Sequence, residues 1–328
     1  MHTKEGDGGS KFELGPRSLR CTGRPNGFNT LCLIKELGLV DETIHVKKTD
    51  PAAKNRFIYA NGKLNMIPNT LSSALTTRPP FQYPLAYFFL RDLLNKAGDG
   101  KDQSIHEFVS KRFHSDFANM AADPMCRGIF AGDCRQLSVY SCFPIIQEFE
   151  QLGDGKICRG VIKTMRKPAP KRRDCKLFEK MRNEHWSTFS FKNGLQSLSD
   201  TVKDALESKP EVEVHANAEC ENISFTDGKA QLTVNGETIT ADHVVSSIYA
   251  KHLASSLSQN QNTLKENLLK IPAVDAVVVV VEFDGHQMPE TPGFGHLLPS
   301  SEDKSLLGVI YDSCTFSSHD RTDKPSTR

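Results

Sequence analysis

The sequence holds no G-x-G-x-x-G turn, the element that follows the first strand of a nucleotide-binding half-domain and lets helix N–H groups hold a pyrophosphate. Only MHTKEGDGGSK stands before Phe12. Its Gly6, Gly8 and Gly9 lack that spacing and have no apolar strand ahead of them, so residues 1–11 read as a flexible leader. Apolar runs are short: the longest, Ala273 to Val281, is broken by Asp275 and falls well below the about 20 residues of a spanning helix. Its valines argue for a buried strand. The nine cysteines contain no C-x-x-C pair, which fits reduced thiols better than a disulfide framework or a zinc site, and no metal is implied. Lys and Arg number 41 against 40 Asp and Glu, so charge gives no reason to expect nucleic acid as a partner. The N-terminus has neither an apolar signal core nor Arg-rich, acid-poor transit character. His106-Glu107 lacks the second histidine of a zincin helix, and neither a G-x-S-x-G elbow nor a P-loop occurs.

What is present is a long globular chain. Its 328 residues suit two domains or one large interleaved one. Phe28, Leu31, Ile34 and Leu37 fall at helical spacing and stop at Gly38. RFIYANGKLNMI then places Asn61-Gly62 between two apolar runs, the mark of a tight hairpin. Pro84 opens PLAYFFLRDLLNK, whose Leu85, Phe88, Phe89, Leu93 and Leu94 form a bulky apolar face. Helical patterns continue over 104–112, 115–129 and 136–152. The helical block closes at a basic loop, Lys163 to Arg173, in which Lys171, Arg172 and Arg173 could meet headgroups or simply water. Beyond Trp186 come a short strand, TFSF, and an amphipathic helix with Leu195, Leu198, Val202 and Leu206 on one face. VEVHANA, ISF, AQLTV and ETITADHVVSSI then read as strands, and two more are expected between Ile271 and Asp312.

Taken singly, the candidate site residues are ordinary. Arg56 is a strand arginine suited to a surface ion pair, Phe294 and Leu297 suit a core, Gly128 suits a helix break, and Gly15-Pro16 suits a turn. Together they sit in longer blocks: FELGPRSLR (12–20), DPAAKNRFIY (50–59), DPMCRGIFAGDCRQLSVYSCFP (123–144), ADHVVSSI (241–248), PGFGHLLPSSED (292–303) and LGVIYDS (307–313). In content, order and spacing these blocks resemble the protoporphyrinogen oxidases, within the flavin monoamine-oxidase-like group. The resemblance covers roughly Phe12 to Ser313.

It implies an α/β fold with an FAD-binding Rossmann-like sheet, an inserted substrate sheet and a helical membrane-docking domain. The segments would be 12–50 and 186–250 for FAD, 51–70 and 251–328 for substrate, and 71–185 for the helices. The activity implied is six-electron oxidation of protoporphyrinogen IX to protoporphyrin IX with FAD and O2, giving H2O2, in haem synthesis. Arg56 would pair a substrate propionate, since a guanidinium fork stays charged and binds carboxylate bidentately. Phe294 and Leu297 would lie against the macrocycle, and Gly128 would admit it closely. Gly15, Pro16, Arg17 and Ser18 would touch the flavin, and the Cys220 backbone the adenine. No acid or base is assigned. The resemblance also implies peripheral attachment to the mitochondrial inner membrane on its intermembrane-space face, and it admits a homodimer.

Relative to that family the glycine-rich strand-turn-helix, the ribose-binding acid and the C-terminal flavin segment are absent, so the chain is expected to be truncated at both ends. Tyr249 stands where related strands continue with proline. Loss of several charge-assisted hydrogen bonds predicts weak FAD binding and uncovered sheet edges. The alternative expectation is a non-catalytic product that binds porphyrin or a full-length subunit.

Overall fold

The computed structural model describes residues 1–20, 25–96, 98–166 and 175–328. The basic residues Lys171, Arg172 and Arg173 lie outside the described residues. The chain begins with β1 (Thr3–Glu5), β2 (Lys11–Glu13), β3 (Leu19–Arg20), α1 (Pro25–Glu36) and β4 (Thr43–Lys47). Residues 1–11 therefore differ from the leader expected of them, because β1 and β2 form an antiparallel hairpin. Its anchor is the buried Glu13 carboxylate, which accepts hydrogen bonds from the Leu195 amide at 2.7 Å and the Thr3 hydroxyl at 2.9 Å. A glycine-rich composition marks a turn equally well when a charged residue inside the fold holds both arms.

Next come α2 (Pro51–Lys54), β5 (Phe57–Ala60) and β6 (Lys63–Met66). Asn61 and Gly62 both take positive φ, 55° and 71°, the left-handed pair that the Asn-Gly dipeptide supplies at little steric cost. Helices α3 (Leu71–Ala74), α4 (Leu85–Leu94), α5 (Ile105–Arg112), α6 (Ser115–Phe117), α7 (Asp123–Phe130), α8 (Val139–Cys142), α9 (Pro144–Leu152), α10 (Ile157–Met165) and α11 (Lys176–Asn183) follow. A π-helical stretch, Ala118–Ala122, carries the chain from α6 into α7. Helices α4 to α10 share a core built on Phe81, Phe88, Phe108 and Val139, and Ile58 and Ala60 of β5 are buried in it. Arg112 is buried at its edge between Asp92, at 3.4 Å, and Glu150, which also accepts from Tyr140. A buried cation left with neither acid would be costly, so this cluster ties α4, α5 and α9 together.

The chain continues through β7 (Trp186–Phe191) and α12 (Gln196–Glu207). β7 lies between β3 and β4, antiparallel to both, and packs Trp186, Phe189 and Phe191 against Leu31, Ile34, Leu177 and Leu195. This corrects the expectation of a Rossmann-like parallel sheet from residues 12–50 and 186–250. Residues 203–275 form a separate compact unit, with antiparallel β8 (Cys220–Thr226), β9 (Lys229–Val234) and β10 (Glu237–Ala241), then α13 (Ala250–Ser256) and α14 (Asn262–Leu269). The remaining residues, 276–328, belong with 1–202 and supply β11 (Phe283–Asp284), β12 (Gly295–Leu297), β13 (Gly308–Ile310), α15 (Asp312–Thr315) and β14 (Ser326–Thr327). β12 joins β5 in parallel and β13 antiparallel, giving the order β13-β12-β5-β6.

Three strand expectations fail. VEVHANA is not a strand, the long strand from Glu237 ends at Ala241, and Ala273 to Val281 is irregular with Val277 at 88% exposure. β-branched composition records fitness for a pleated, half-buried surface. A strand also needs a neighbour to accept its ladder, and among the described residues these segments have none.

His319 joins the ends of the larger unit. It is 2% exposed, and its Nε2 lies 2.8 Å from the Phe191 carbonyl oxygen. Burial is the main cause holding its pKa below the ordinary 6.5; the Phe191 carbonyl opposes the shift and the Arg328 charge adds to it. An imidazole harder to protonate when folded contributes stability that is intact above the unfolded value and lost as pH falls below it. The melting temperature is expected to drop between about pH 7 and pH 5. His319→Gln, which keeps a donor for Phe191, should make that drop shallower; equal slopes would remove His319 from the account.

Candidate functional site

The mixed sheet brings the residues singled out by sequence together in two pairs, Arg56 with Phe294 and Leu297 with Gly128 of α7. Arg56 enters β5 and Phe294 precedes β12, and the guanidinium carbon of Arg56 lies 4.6 Å from the centre of the Phe294 ring. Phe294 is fixed through its backbone, whose amide donates to Asn55 at 3.2 Å and whose carbonyl accepts from Tyr311 at 3.0 Å. Leu297, on β12, sits over α7 at Gly128. A Cβ added there would lie 2.5 Å from Leu297 Cδ2, so the leucine occupies the space an alanine would need. Gly128 is exposed, and Leu297 and Phe294 are both half-buried.

The hydrogen bonding of Arg56 is lopsided. Its Nη1 donates to the carbonyls of Ala52, at 2.6 Å, and Asn55, at 3.2 Å. Among the described residues Nε and Nη2 have no acceptor, and no carboxylate pairs with the guanidinium. Burial first, and the Arg20 charge second, push its pKa down. It stays cationic at neutral pH because a guanidinium is not deprotonated in proteins. The result is a half-buried positive charge with one side of its fork open.

The loop between β2 and β3 carries Gly15, Pro16, Arg17 and Ser18. A Cβ at Gly15 would meet nothing within 4 Å, so the loop faces open space there. Arg17 is held by Asp312 at 3.0 Å, at the start of α15. Asp312 follows Tyr311, the residue bonded to Phe294, so the loop is coupled to the mixed sheet through two consecutive side-chain and backbone contacts. Cys220 opens β8 in the separate unit and pairs with Val234. Sequence reasoning missed Asp312, and also His296 and Tyr311, whose Nδ1 and hydroxyl lie 2.8 Å apart. Burial lowers the His296 pKa and raises that of Tyr311, so both are neutral at neutral pH. All three stand inside blocks read only for apolar lining. Alternation along β12 would have put His296 on the side of Phe294.

For metal, Asp123, Asp133 and Cys134 bring one ligand atom each within 4.8 Å of one another. Asp123 already accepts from Ser300 and lies beside Arg135, and burial lifts the Cys134 thiol to about 12, so the group is poorly suited to give up a thiolate.

Residues 1–327 match the family model of flavin containing amine oxidoreductases. The chain belongs to that family. It is 36% identical over 320 residues to the protoporphyrinogen oxidase of Homo sapiens and equally to that of Macaca fascicularis, covering 98% of this chain. It spans 66% of the length of each. The protoporphyrinogen oxidase of Schizosaccharomyces pombe is 28% identical over 92% of this chain and 63% of its own length. Among solved structures, a candidate protoporphyrinogen oxidase from Exiguobacterium sp. superposes with a TM-score of 0.67 at 18% identity, over 99% of this chain and 66% of that one. Reduced UDP-galactopyranose mutase superposes with 0.59 at 11% identity, over 99% and 63%. These likenesses give the fold.

The family implies FAD. The loop at 15–18 suits one edge of a flavin: Gly15 borders free space and Arg17 is fixed in place by Asp312. No turn for a pyrophosphate occurs within these residues.

The Gly128 contact is testable by stability. Gly128→Ala should unfold near the wild-type urea midpoint, because about 1 kcal/mol of helix propensity offsets a similar overpacking cost. Gly128→Val should lose about 2 kcal/mol. Adding Leu297→Ala should return part of that loss; additive losses would show that the two residues do not meet.

Proposed function

We propose that this chain carries the substrate-recognition part of a flavin-dependent protoporphyrinogen oxidase, acting on protoporphyrinogen IX with O2 as the final oxidant and H2O2 as co-product. The observation that carries the reading is the open Nε and Nη2 edge of Arg56, a charge-bearing fork with an aromatic ring against its face. A carboxylate fits that edge bidentately, and an apolar ring system attached to the carboxylate would lie against Phe294, with Leu297 on Gly128 as a second apolar contact. The similarity to protoporphyrinogen oxidases supports a tetrapyrrole with propionate arms as that molecule.

FAD, when bound, supplies the two-electron redox chemistry. The chain's own residues do the rest. Arg56 fixes one arm and so the register of the macrocycle. Phe294 and Leu297 provide apolar contact and exclude water from it. Gly128 offers backbone without a side chain, so that Leu297 settles directly on α7 and leaves a flat apolar surface. Gly15 to Ser18 border the flavin, with Arg17 kept in one position by Asp312.

The membrane surface is proposed as a partner of the helical part, consistent with a peripheral place on the mitochondrial inner membrane. Leu90, Leu93 and Leu94 of α4 are exposed, Leu94 by 76%, as are Ile162 and Met165 of the neighbouring α10. An apolar patch of this kind on a helix pair suits shallow insertion beside headgroups. Among the described residues no helix is long and apolar enough to cross a bilayer.

Purified protein should quench protoporphyrin IX fluorescence saturably, and Arg56→Ala should weaken that binding by roughly ten- to a hundredfold, as for a lost charge-assisted pair. Unchanged binding would refute the propionate assignment. Flavin absorbance together with porphyrin formed from protoporphyrinogen marks the enzyme, whereas a colourless protein that only binds porphyrin marks a binding chain.

Leu90→Ser/Leu94→Ser should lower co-sedimentation with anionic phospholipid vesicles several-fold at unchanged melting temperature. Equal sedimentation would place this face elsewhere.

A further inference from the structure

The loop after β12, residues 298–306, is fastened to α7 by two side chains that neither the redox chemistry nor the apolar lining uses. Arg127 is 6% exposed and Asp123 2% exposed, one turn apart on α7 and flanking Gly128 on its N-terminal side. Arg127 spends both terminal nitrogens on this loop: Nη1 donates to the Leu298 carbonyl and Nη2 to the Lys304 carbonyl, each at 2.8 Å. Asp123 accepts from the Ser300 amide at 2.6 Å. The loop is braced from within, since Asp303 accepts from the amides of Ser305 and Leu306 at 2.7 and 2.8 Å, and its far side is held where Glu302 accepts from the Asn61 amide at 3.0 Å.

Leu298, the residue whose carbonyl Arg127 takes, directly follows Leu297. Two buried charged groups on the helix that carries Gly128 therefore hold the strand end that carries Leu297. Two buried charges committed to backbone groups at three points, two carbonyls and one amide, cost desolvation and give rigid placement in return. Mere packing between a helix and a loop would be met by apolar side chains.

We propose that Arg127 and Asp123 are positioning residues: they latch the 298–306 loop onto α7, fix the spacing between Leu297 and Gly128, and thereby decide how thick and how bulky a ring system the apolar wall admits. This rests on the reading of the wall as a tetrapyrrole site. Lysine cannot replace Arg127, because a single ammonium does not reach two carbonyls in the guanidinium's fixed fork geometry.

The test is a double-mutant cycle read by fluorescence titration with protoporphyrin IX, a dicarboxylate, and uroporphyrin, an octacarboxylate of greater bulk. Arg127→Ala and Arg127→Lys should each weaken protoporphyrin binding about tenfold and narrow the preference for it over uroporphyrin. In a Leu297→Ala background the same changes should weaken it no more than about twofold, because the group being positioned is gone. A purely structural role would lower the melting temperature equally in both backgrounds and leave the two binding losses additive, which overturns the proposal. Asp123→Asn, which keeps size and an acceptor, gives the milder variant should the arginine substitutions fail to fold. If wild-type protein binds neither porphyrin, the tetrapyrrole reading falls. The latch is then judged by deuterium uptake over 298–306, which rises in Arg127→Lys and Asp123→Asn if it exists and stays at the wild-type level if it does not.

Discussion

A guanidinium that has lost much of its water without gaining a counter-ion is the constraint on which the site depends. Arg56 satisfies one nitrogen with two carbonyls and leans its face on Phe294, a contact worth about 0.5 to 2 kcal/mol. Neither contact neutralises the charge. In most proteins a half-buried arginine finds an acid, as Arg112 does between Asp92 and Glu150, or Arg17 does with Asp312. Three arginines of one chain thus divide by partner: two are consumed by the fold and the third is held ready by it. Such an arrangement pre-organises half of an ion pair, which is what the proposed carboxylate contact would use.

The same sheet serves two masters. Ile58 and Ala60 of β5 are buried among the helices, and Leu297 of β12 rests on α7, so the sheet cannot shift without disturbing the helical core. On the neighbouring positions stand Phe294, His296 and Tyr311, tied to one another through backbone and side-chain bonds. Placing the recognition residues on strands whose other contacts are rigid limits how far any one of them can drift. In the proposed reading such a wall would select shape and the Arg56 fork charge.

How much of this was readable beforehand depended on whether a signal was local. The Asn61-Gly62 turn, the helix running up to Gly38, the helix opened by Pro84 and those within 104–112, 115–129 and 136–152 followed from periodicity and turn chemistry, which a few neighbouring residues determine; α3, α10 and α11 did not. The pairing of Arg56 with Phe294 joined positions far apart in sequence and was anticipated only through the blocks that contain them. What periodicity could not supply was partnership. The valines of 277–281 have every intrinsic preference of a strand and no ladder, while the polar, glycine-rich start of the chain became a strand because Glu13 gave its arms a common anchor. His296, Tyr311 and Asp312 escaped notice for a related reason: a half-buried polar residue within an apolar motif is read as spacing until its partner is known.

Fold alone would not have chosen among activities, since a mutase and a candidate porphyrinogen oxidase superpose on the same chain. The choice is made by where charge and aromatic surface are concentrated. Arg56, Phe294, Leu297 and Gly128 all belong to the unit formed by residues 1–202 and 276–328, and every contact that shapes them lies within it. The 15–18 loop is linked to this group only at one remove, through Arg17, Asp312 and the Tyr311 backbone. The two are built differently: the arginine and its ring stand on a sheet already packed against helices, whereas the glycine of the loop faces open space.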